Sequence, residues 1–194
     1  MPADLIEENS PFFDPQTSEF SFKGGILVAS DIHIREPDDK NAHCLMSAFE
    51  KMQGSKLDRV FFLGDIFDFY FGKQSYFEKK FSSLFKKMGS LTKIAGDVLF
   101  MEGNHEFGSK ALECDHFKFV KENYHVCEYA DKKILLSHGD LLNAPKSYLW
   151  FRRFVKSSWL HFVAKWIPGK WLDSYALTHA NVCLLYTSPS PRDS

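Results

Sequence analysis

The sequence predicts an α/β domain built in layers. Short apolar runs rich in strand formers alternate with stretches whose apolar residues recur at helical spacing, and each strand-like run ends in a polar cluster. The length, 194 residues, suffices for one domain with a real hydrophobic core, or for a domain with a small appendage.

The strand-like runs are 25–30 (GILVAS), 59–64 (RVFFLG), 98–101 and 134–136. Between the first two, Asp38 and Asp39 are placed to cap a helix with a stripe of Ala42, Leu45, Met46, Phe49 and Met52. Tyr76, Phe77, Phe81, Leu84, Phe85 and Met88 form a second stripe, and 111–120 is expected to form a third helix. No internal repeat occurs. From Tyr148 to Trp171 the chain reads as two helices joined by a turn, because Pro168-Gly169 interrupts the pattern.

Charge is nearly balanced, with 24 Lys+Arg against 25 Asp+Glu, so the total does not suggest a nucleic-acid partner. Its distribution is uneven. Between Leu141 and Leu172 stand Lys146, Arg152, Arg153, Lys156, Lys165 and Lys170 with no acidic residue, and all four tryptophans (Trp150, Trp159, Trp166, Trp171) fall there too. Tryptophan favours the headgroup boundary, and Lys or Arg meets anionic lipid at about 1 kcal/mol each, so this segment suits a peripheral membrane surface. No apolar run reaches the roughly 18 residues of a spanning helix. Cys44, Cys114, Cys127 and Cys183 are scattered, and the N-terminus is acidic. A reduced, cytoplasmic location without structural zinc is expected. The last twelve residues, CLLYTSPSPRDS, break the texture and read as a non-native tail, with the natural chain expected to continue past Val182.

The polar clusters carry the chemistry. They are Asp31 and His33 in SDIH, Asp65 and Asp68 in GDIFD, Asn104, His105 and Glu106 in GNHE, and His138 and Asp140 in SHGD. Ligands of open α/β sheets bind outside the carboxyl ends of strands, so four loops are expected to converge on one place. Asp and His two apart in an extended segment share a face. Carboxylate oxygen together with imidazole suits Mn2+, Fe2+ or Zn2+ better than an oxygen-only Mg2+ or Ca2+ cage. Asp65 is placed to bridge two ions about 3.5–4 Å apart, the arrangement used for displacement at phosphorus. One ion is assigned Asp31, His33 and Asp65, and the other Asp65, Asn104 and His138.

Together these motifs, from about Gly25 to Asp140, resemble the calcineurin-like metallophosphoesterase family. The resemblance implies a two-sheet β-sandwich flanked by helices, carrying a helical insertion, and phosphoester hydrolysis at a dinuclear centre with Mn2+ the first candidate. That family also has a Gly-His-x-His step, which these 194 residues lack; His161 and His179 are isolated and read as packing or surface residues. Protonation of the leaving group falls to His105, with Asp68 expected to pair with it and keep it charged.

Within the family, GDIFDFYFG and the Trp-rich segment are similar to the UDP-2,3-diacylglucosamine pyrophosphatases of lipid A synthesis, whose helical insertion receives acyl chains. Tyr148 and Arg152 match their Y-x-x-F-R and are implied to bind substrate. The chain departs from them in carrying Gly-Asn-His-Glu for Gly-Asn-Arg-Asp, and Ala144, Pro145 and Lys146 where acidic residues precede the tyrosine. The expected organisation is an N-terminal extension (1–22), a metallophosphoesterase core (23–145), a basic-aromatic lipid-binding insertion (146–182) and the tail (183–194). The expected activity is cleavage of UDP-2,3-diacylglucosamine to lipid X and UMP at the inner face of the inner membrane. A phosphodiesterase or phosphatase of the same family with another, soluble substrate is the alternative, and a non-catalytic scaffold the third.

Overall fold

A computed structural model describes residues 21–22, 25–52, 57–72, 74–109, 117–120, 123–129 and 132–184. Of the expected extension and tail, 1–20 and 185–194 lie outside the described residues.

The elements run β1 (Ser21–Phe22), β2 (Gly25–Ala29), α1 (Lys40–Met52), β3 (Leu57–Leu63), β4 (Tyr70–Phe71), α2 (Ser75–Lys80), α3 (Ser82–Gly89), β5 (Ala95–Met101), β6 (Glu106–Phe107), β7 (Lys118–Val120), β8 (Tyr124–Tyr129) and β9 (Lys132–Ser137). Three helices follow: α4 (Lys146–Val155), α5 (Ser158–Ala164) and α6 (Gly169–Leu184). A four-stranded, all-parallel sheet has the order β2-β3-β5-β7. A second sheet, β1-β8-β9, pairs β1 parallel and β9 antiparallel to β8. The two sheets with flanking helices are the predicted mixed α/β architecture.

Alternation along the central strands explains why their carboxyl-terminal halves, 60–63 and 98–101, are apolar at every position. Val60 and Phe62 of β3 and Val98 and Phe100 of β5 enter the main core beneath α1, α2 and α3, beside Phe49, Phe77, Phe81 and Met88. Their neighbours Phe61, Leu63, Leu99 and Met101 face the second sheet with Val120 and Cys127. Each such side chain contributes about 1.5–3 kcal/mol by leaving water. The first stripe forms α1 as expected, and Asp39 is its cap, its Oδ1 accepting from the Ala42 amide at 2.7 Å.

Two expectations are corrected, for 111–120 and for the Trp-rich segment, and the second helical stripe holds in two pieces. The helix expected over 111–120 is not there at its end: 118–120 is strand β7, paired with Leu99–Met101 of β5, while 111–116 lies outside the described residues. Sheet pairing here overrides local spacing. The second stripe is two helices that break at Phe81, yet Phe81 accepts from the Phe85 amide and donates to Phe77, so the apolar face is continuous. The Trp-rich segment is three helices, because Ser157 stops α4 and caps α5 through the Leu160 amide. The turn at Pro168 is as expected, its carbonyl accepting from Trp171 and Leu172.

The three helices are fixed to the core by polar contacts. The two N–H bonds of Gln74 Nε2 are shared among the carbonyls of Ala164 (2.7 Å), Ile167 (2.9 Å) and Lys165 (3.0 Å) in the turn that ends α5. Asp173 of α6 accepts from Tyr76 (2.9 Å) and Lys80 (2.7 Å). Gly169 lets α6 start against Tyr76, where a Cβ would stand 2.4 Å from the tyrosine Cβ. Gln74→Ala is therefore expected to lower unfolding free energy by about 1–3 kcal/mol and to speed hydrogen exchange at the Ile167 and Leu172 amides, read by urea denaturation and mass spectrometry. An unchanged exchange pattern would contradict the capping role.

Candidate metal centre

Parallel pairing keeps the strand ends level: Ala29 is opposite Phe62, and Leu63 opposite Met101. The loops that follow β2, β3 and β5 therefore leave the sheet at one edge, and the loop after β9 joins them. Past the strands the first two loops stay paired. The Ile32 and His33 amides both donate to the Asp65 carbonyl (2.9 and 3.0 Å), and the Ile34 amide to Ile66.

This course bends the backbone. Asp31, His33 and Asp65 have φ of 54°, 53° and 52°, in the left-handed region that non-glycine residues seldom occupy. Such strain costs roughly 1–2 kcal/mol per residue and persists where the surroundings over-determine it, as at functional sites. Gly64, at φ 88°, meets the next loop directly, where a Cβ would lie 2.4 Å from the Gly103 amide nitrogen. A Cβ on Gly103 would lie 2.1 Å from Asp65 Oδ1. Two glycines in contact thus bring Asp65 beside Asn104 and His105.

Asp65, 3% exposed, is the hub. Its Oδ2 lies 3.5 Å from His138 Nε2 and 4.0 Å from the Nε2 atoms of His33 and His105, while its Oδ1 accepts from the His105 amide at 3.0 Å. Two overlapping groups could each hold a cation: His33, Asp65 and His105, and Asp31, Asp65 and His138. Asn104 Oδ1 is 3.0 Å from His138 Nε2, which adds it to the second group. The structure thus brings together Asp31, His33, Asp65, Asn104 and His138, with Asp65 common to both groups. It divides them differently, placing Asp31 with His138 and including His105.

The histidines are oriented from behind. His138 Nδ1 donates to the Leu63 carbonyl (2.9 Å), turning Nε2 toward Asp65 and Asn104. His33 Nδ1 lies 3.4 Å from Asp68 Oδ1, turning its Nε2 the same way. His105 Nδ1 donates to the Asp68 carbonyl at 2.7 Å. The expected pairing of the Asp68 carboxylate with His105 is replaced: the carboxylate serves His33 and Arg35 (Nε 2.9 Å), and His105 takes the backbone oxygen three residues past the hub.

The charges are strongly coupled. Burial opposes charging of His138, but its hydrogen bond to Asp65 and that carboxylate's charge outweigh burial and push it up to about 9. Burial works to raise Asp65, and His138 with His105 holds it below the usual carboxylate range. The hydrogen bond to His33 lowers Asp68 and raises His33. The donors fit a divalent ion: a cation at His138 Nε2 would take the place of a proton already surrounded by Asp65 and Asn104 oxygens.

The other expected residues sit around this centre. Asp140 Oδ2 accepts from Tyr148 (2.9 Å) and Arg152 Nε (2.7 Å), so these two α4 side chains engage the His138 loop. His161 is buried edge-on against Phe71, a packing residue; the His179 side chain lies outside the described residues. Two contributors have no role that the sequence assigns them. Glu106 is fully buried between the loops of Asp65 and Asn104, and burial pushes its carboxyl up to about 7. Lys156 reaches from the end of α4 to Glu102 (3.0 Å) and the Gly103 carbonyl (2.8 Å). Only the Gly-Asn-His-Glu spacing pointed toward Glu106.

Beside the centre a cavity of about 300 Å3 has Asp68, Asn104 and His105 at one end and an apolar wall that includes Phe107, Phe151, Val155 and Leu160. Trp150, Trp159, Trp166 and Trp171 are exposed outside it. Among the described residues no helix is long and apolar enough to cross a membrane.

The profile of the calcineurin-like phosphoesterase family matches residues 25–184. The chain is similar to the UDP-2,3-diacylglucosamine hydrolase of Neisseria gonorrhoeae, 26% identical over 166 residues that cover 84% of this chain and 69% of that protein. It is also similar to those of Haemophilus influenzae, 30% identical over 73% of this chain and 60% of the relative, and Shewanella loihica, 28% identical over 73% and 58%. Against the last two it spans less than two thirds of the relative's length.

The His138 charge fixes a pH dependence. Below about 9 the ring is protonated, so a cation must displace that proton. Mn2+ affinity is expected to rise with pH up to about 9 and then level, with release of about one proton per ion bound at this position at pH 7. Calorimetry in buffers of different ionisation enthalpy measures the release; none would mean that His138 does not take part.

Proposed function

The chain belongs to the calcineurin-like phosphoesterase family, and we propose that within it this protein hydrolyses the pyrophosphate of UDP-2,3-diacylglucosamine, yielding UMP and lipid X, in lipid A synthesis. The observation that carries this is the cavity of about 300 Å3 whose polar end is Asp68, Asn104 and His105 and whose walls are apolar. A pyrophosphate at the polar end places acyl chains along the apolar side chains of Phe107, Phe151, Val155 and Leu160. The names of the relatives agree with this substrate.

In this proposal Asp31, Asp65, Asn104 and His138 hold one divalent ion, and His33 with Asp65 a second, both Mn2+ by preference and Fe2+ or Zn2+ by donor type. Bound there, the ions supply acidified water and positive charge for the phosphate oxygens. The remaining work belongs to the side chains. Asp68 holds His33 in its ligating orientation. His105, its Nδ1 proton committed to the Asp68 carbonyl, presents Nε2 to the leaving oxygen and protonates it. Among the described contacts Arg152 donates only through Nε, which leaves its Nη groups for a substrate anion beside Tyr148.

The core is taken as 23–145 and the lipid-facing insertion as 146–182. Four exposed tryptophans with exposed Arg153, Lys165 and Lys170 suit this insertion to an anionic bilayer on its cytoplasmic side.

Full-length protein with Mn2+ and UDP-2,3-diacylglucosamine in mixed micelles is expected to release UMP, and a chelator or Asp65→Ala to stop it. His105→Ala should lower kcat by roughly 100-fold or more with metal still bound. Equal turnover of a simple soluble phosphodiester would favour the soluble-substrate alternative, and activity indifferent to Asp65→Ala would reject the dinuclear scheme. Anionic vesicles should bind the protein at low salt and release it at high salt in a sedimentation assay; no binding at low salt would remove the membrane assignment.

A further inference from the structure

Glu106 has no part in the chemistry above, yet it is the most tightly enclosed carboxylate in the described structure, with 0% exposure. It follows Asn104 by two residues and opens β6, and its side chain turns back between the ligand loops. Its Oε1 accepts from the amides of Ile66 (2.8 Å) and Phe67 (3.2 Å), and its Oε2 from those of Asp65 (3.1 Å) and Gly103 (3.0 Å). One carboxylate therefore gathers four N–H groups from two separate loops, one of them belonging to the hub residue itself.

These amides have few other possible partners. Asp65 turns at φ 52° and Gly64 at φ 88°, so the β3 loop leaves the strand ladder, and Asp65, Ile66 and Phe67 are all buried. Buried N–H groups without acceptors cost about 1–3 kcal/mol each. Four N–H donors converging on one carboxyl group call for its ionised form, which accepts in all directions and donates in none. Lys156 holds the opposite side of the same peptide segment, donating to the Gly103 carbonyl at 2.8 Å.

We propose that Glu106 is a positioning residue for the reaction: it sets the separation between Asp65 and Asn104, and so the geometry in which a divalent cation is held, without touching cation or substrate. The inference rests on the proposal that Asp65 and Asn104 are metal ligands. Loss of a residue that orients ligands from outside typically weakens metal affinity by about 10–100-fold.

Glu106→Gln tests this, because it keeps the volume and turns one acceptor into a donor facing amides. Mn2+ affinity, measured by calorimetry on the full chain, is expected to fall by about 10–100-fold. In chelator, hydrogen exchange at the Asp65, Ile66 and Gly103 amides should accelerate by at least about 10-fold while Phe61 and Leu99 in the central strands keep their protection, a contrast that a merely structural role would not produce. Affinity equal to wild type, or exchange that rises equally in the loops and central strands, overturns the proposal. If Glu106→Gln does not fold, Glu106→Asp decides. Its shorter arm cannot span both loops, and Mn2+ affinity about 3–10-fold below wild type is expected, against an unchanged value that would overturn it. Wild-type protein that binds no Mn2+ would instead defeat the metal assignment, and this inference with it.

Discussion

The site depends on one close approach, that of Gly64 to Gly103. Only because neither carries a Cβ can the loops after β3 and β5 pass in backbone contact, and that contact places Asp65 within reach of His105, His138 and Asn104. Any other residue at Gly103 would occupy the space of the Asp65 carboxylate. The rest follows: the shared carboxylate, the inward-facing amides that Glu106 gathers, and the histidines arranged around a single oxygen.

The parallel sheet makes this approach possible. β3 and β5 pair without shift from Arg59 to Leu63, so both loops start at the same height. At 60–63 and 98–101 these strands are apolar on both faces because helices cover one and the second sheet the other. The strain in Asp31, His33 and Asp65 is borne by this rigid base and by the loop-to-loop hydrogen bonds. The helices after β9 are attached to the same loops, through Asp140 beside His138 and through Lys156 on Gly103, and they form the cavity's apolar wall. Cation and apolar substrate portion would thus meet across shared elements.

Much of this was legible from sequence. Asp31, His33, Asp65, Asn104 and His138 stand out in the sequence because each follows a strand-like run, and sheet pairing brings strand ends together. How those residues group was not legible, since it depends on which histidine rotates toward which oxygen. The Asp68 role shifted for the same reason: three residues past the hub, its carbonyl reaches His105 while its carboxylate reaches His33. Glu106 was visible only as a letter in a motif, because its function is to accept amides that no pattern of side chains reveals.

The sequence by itself determined the α/β class, the strands that end at the site, the residues that could ligate a cation and the basic, aromatic character of 146–182. Local alternation and residue chemistry encode those. Tertiary structure alone decided that 118–120 is a strand, that the Trp-rich segment has a third helix, and that one glycine contact brings the loops after β3 and β5 together. Those outcomes arise from contacts between residues distant in the chain, where pairing, steric exclusion and buried hydrogen bonding outweigh local preference.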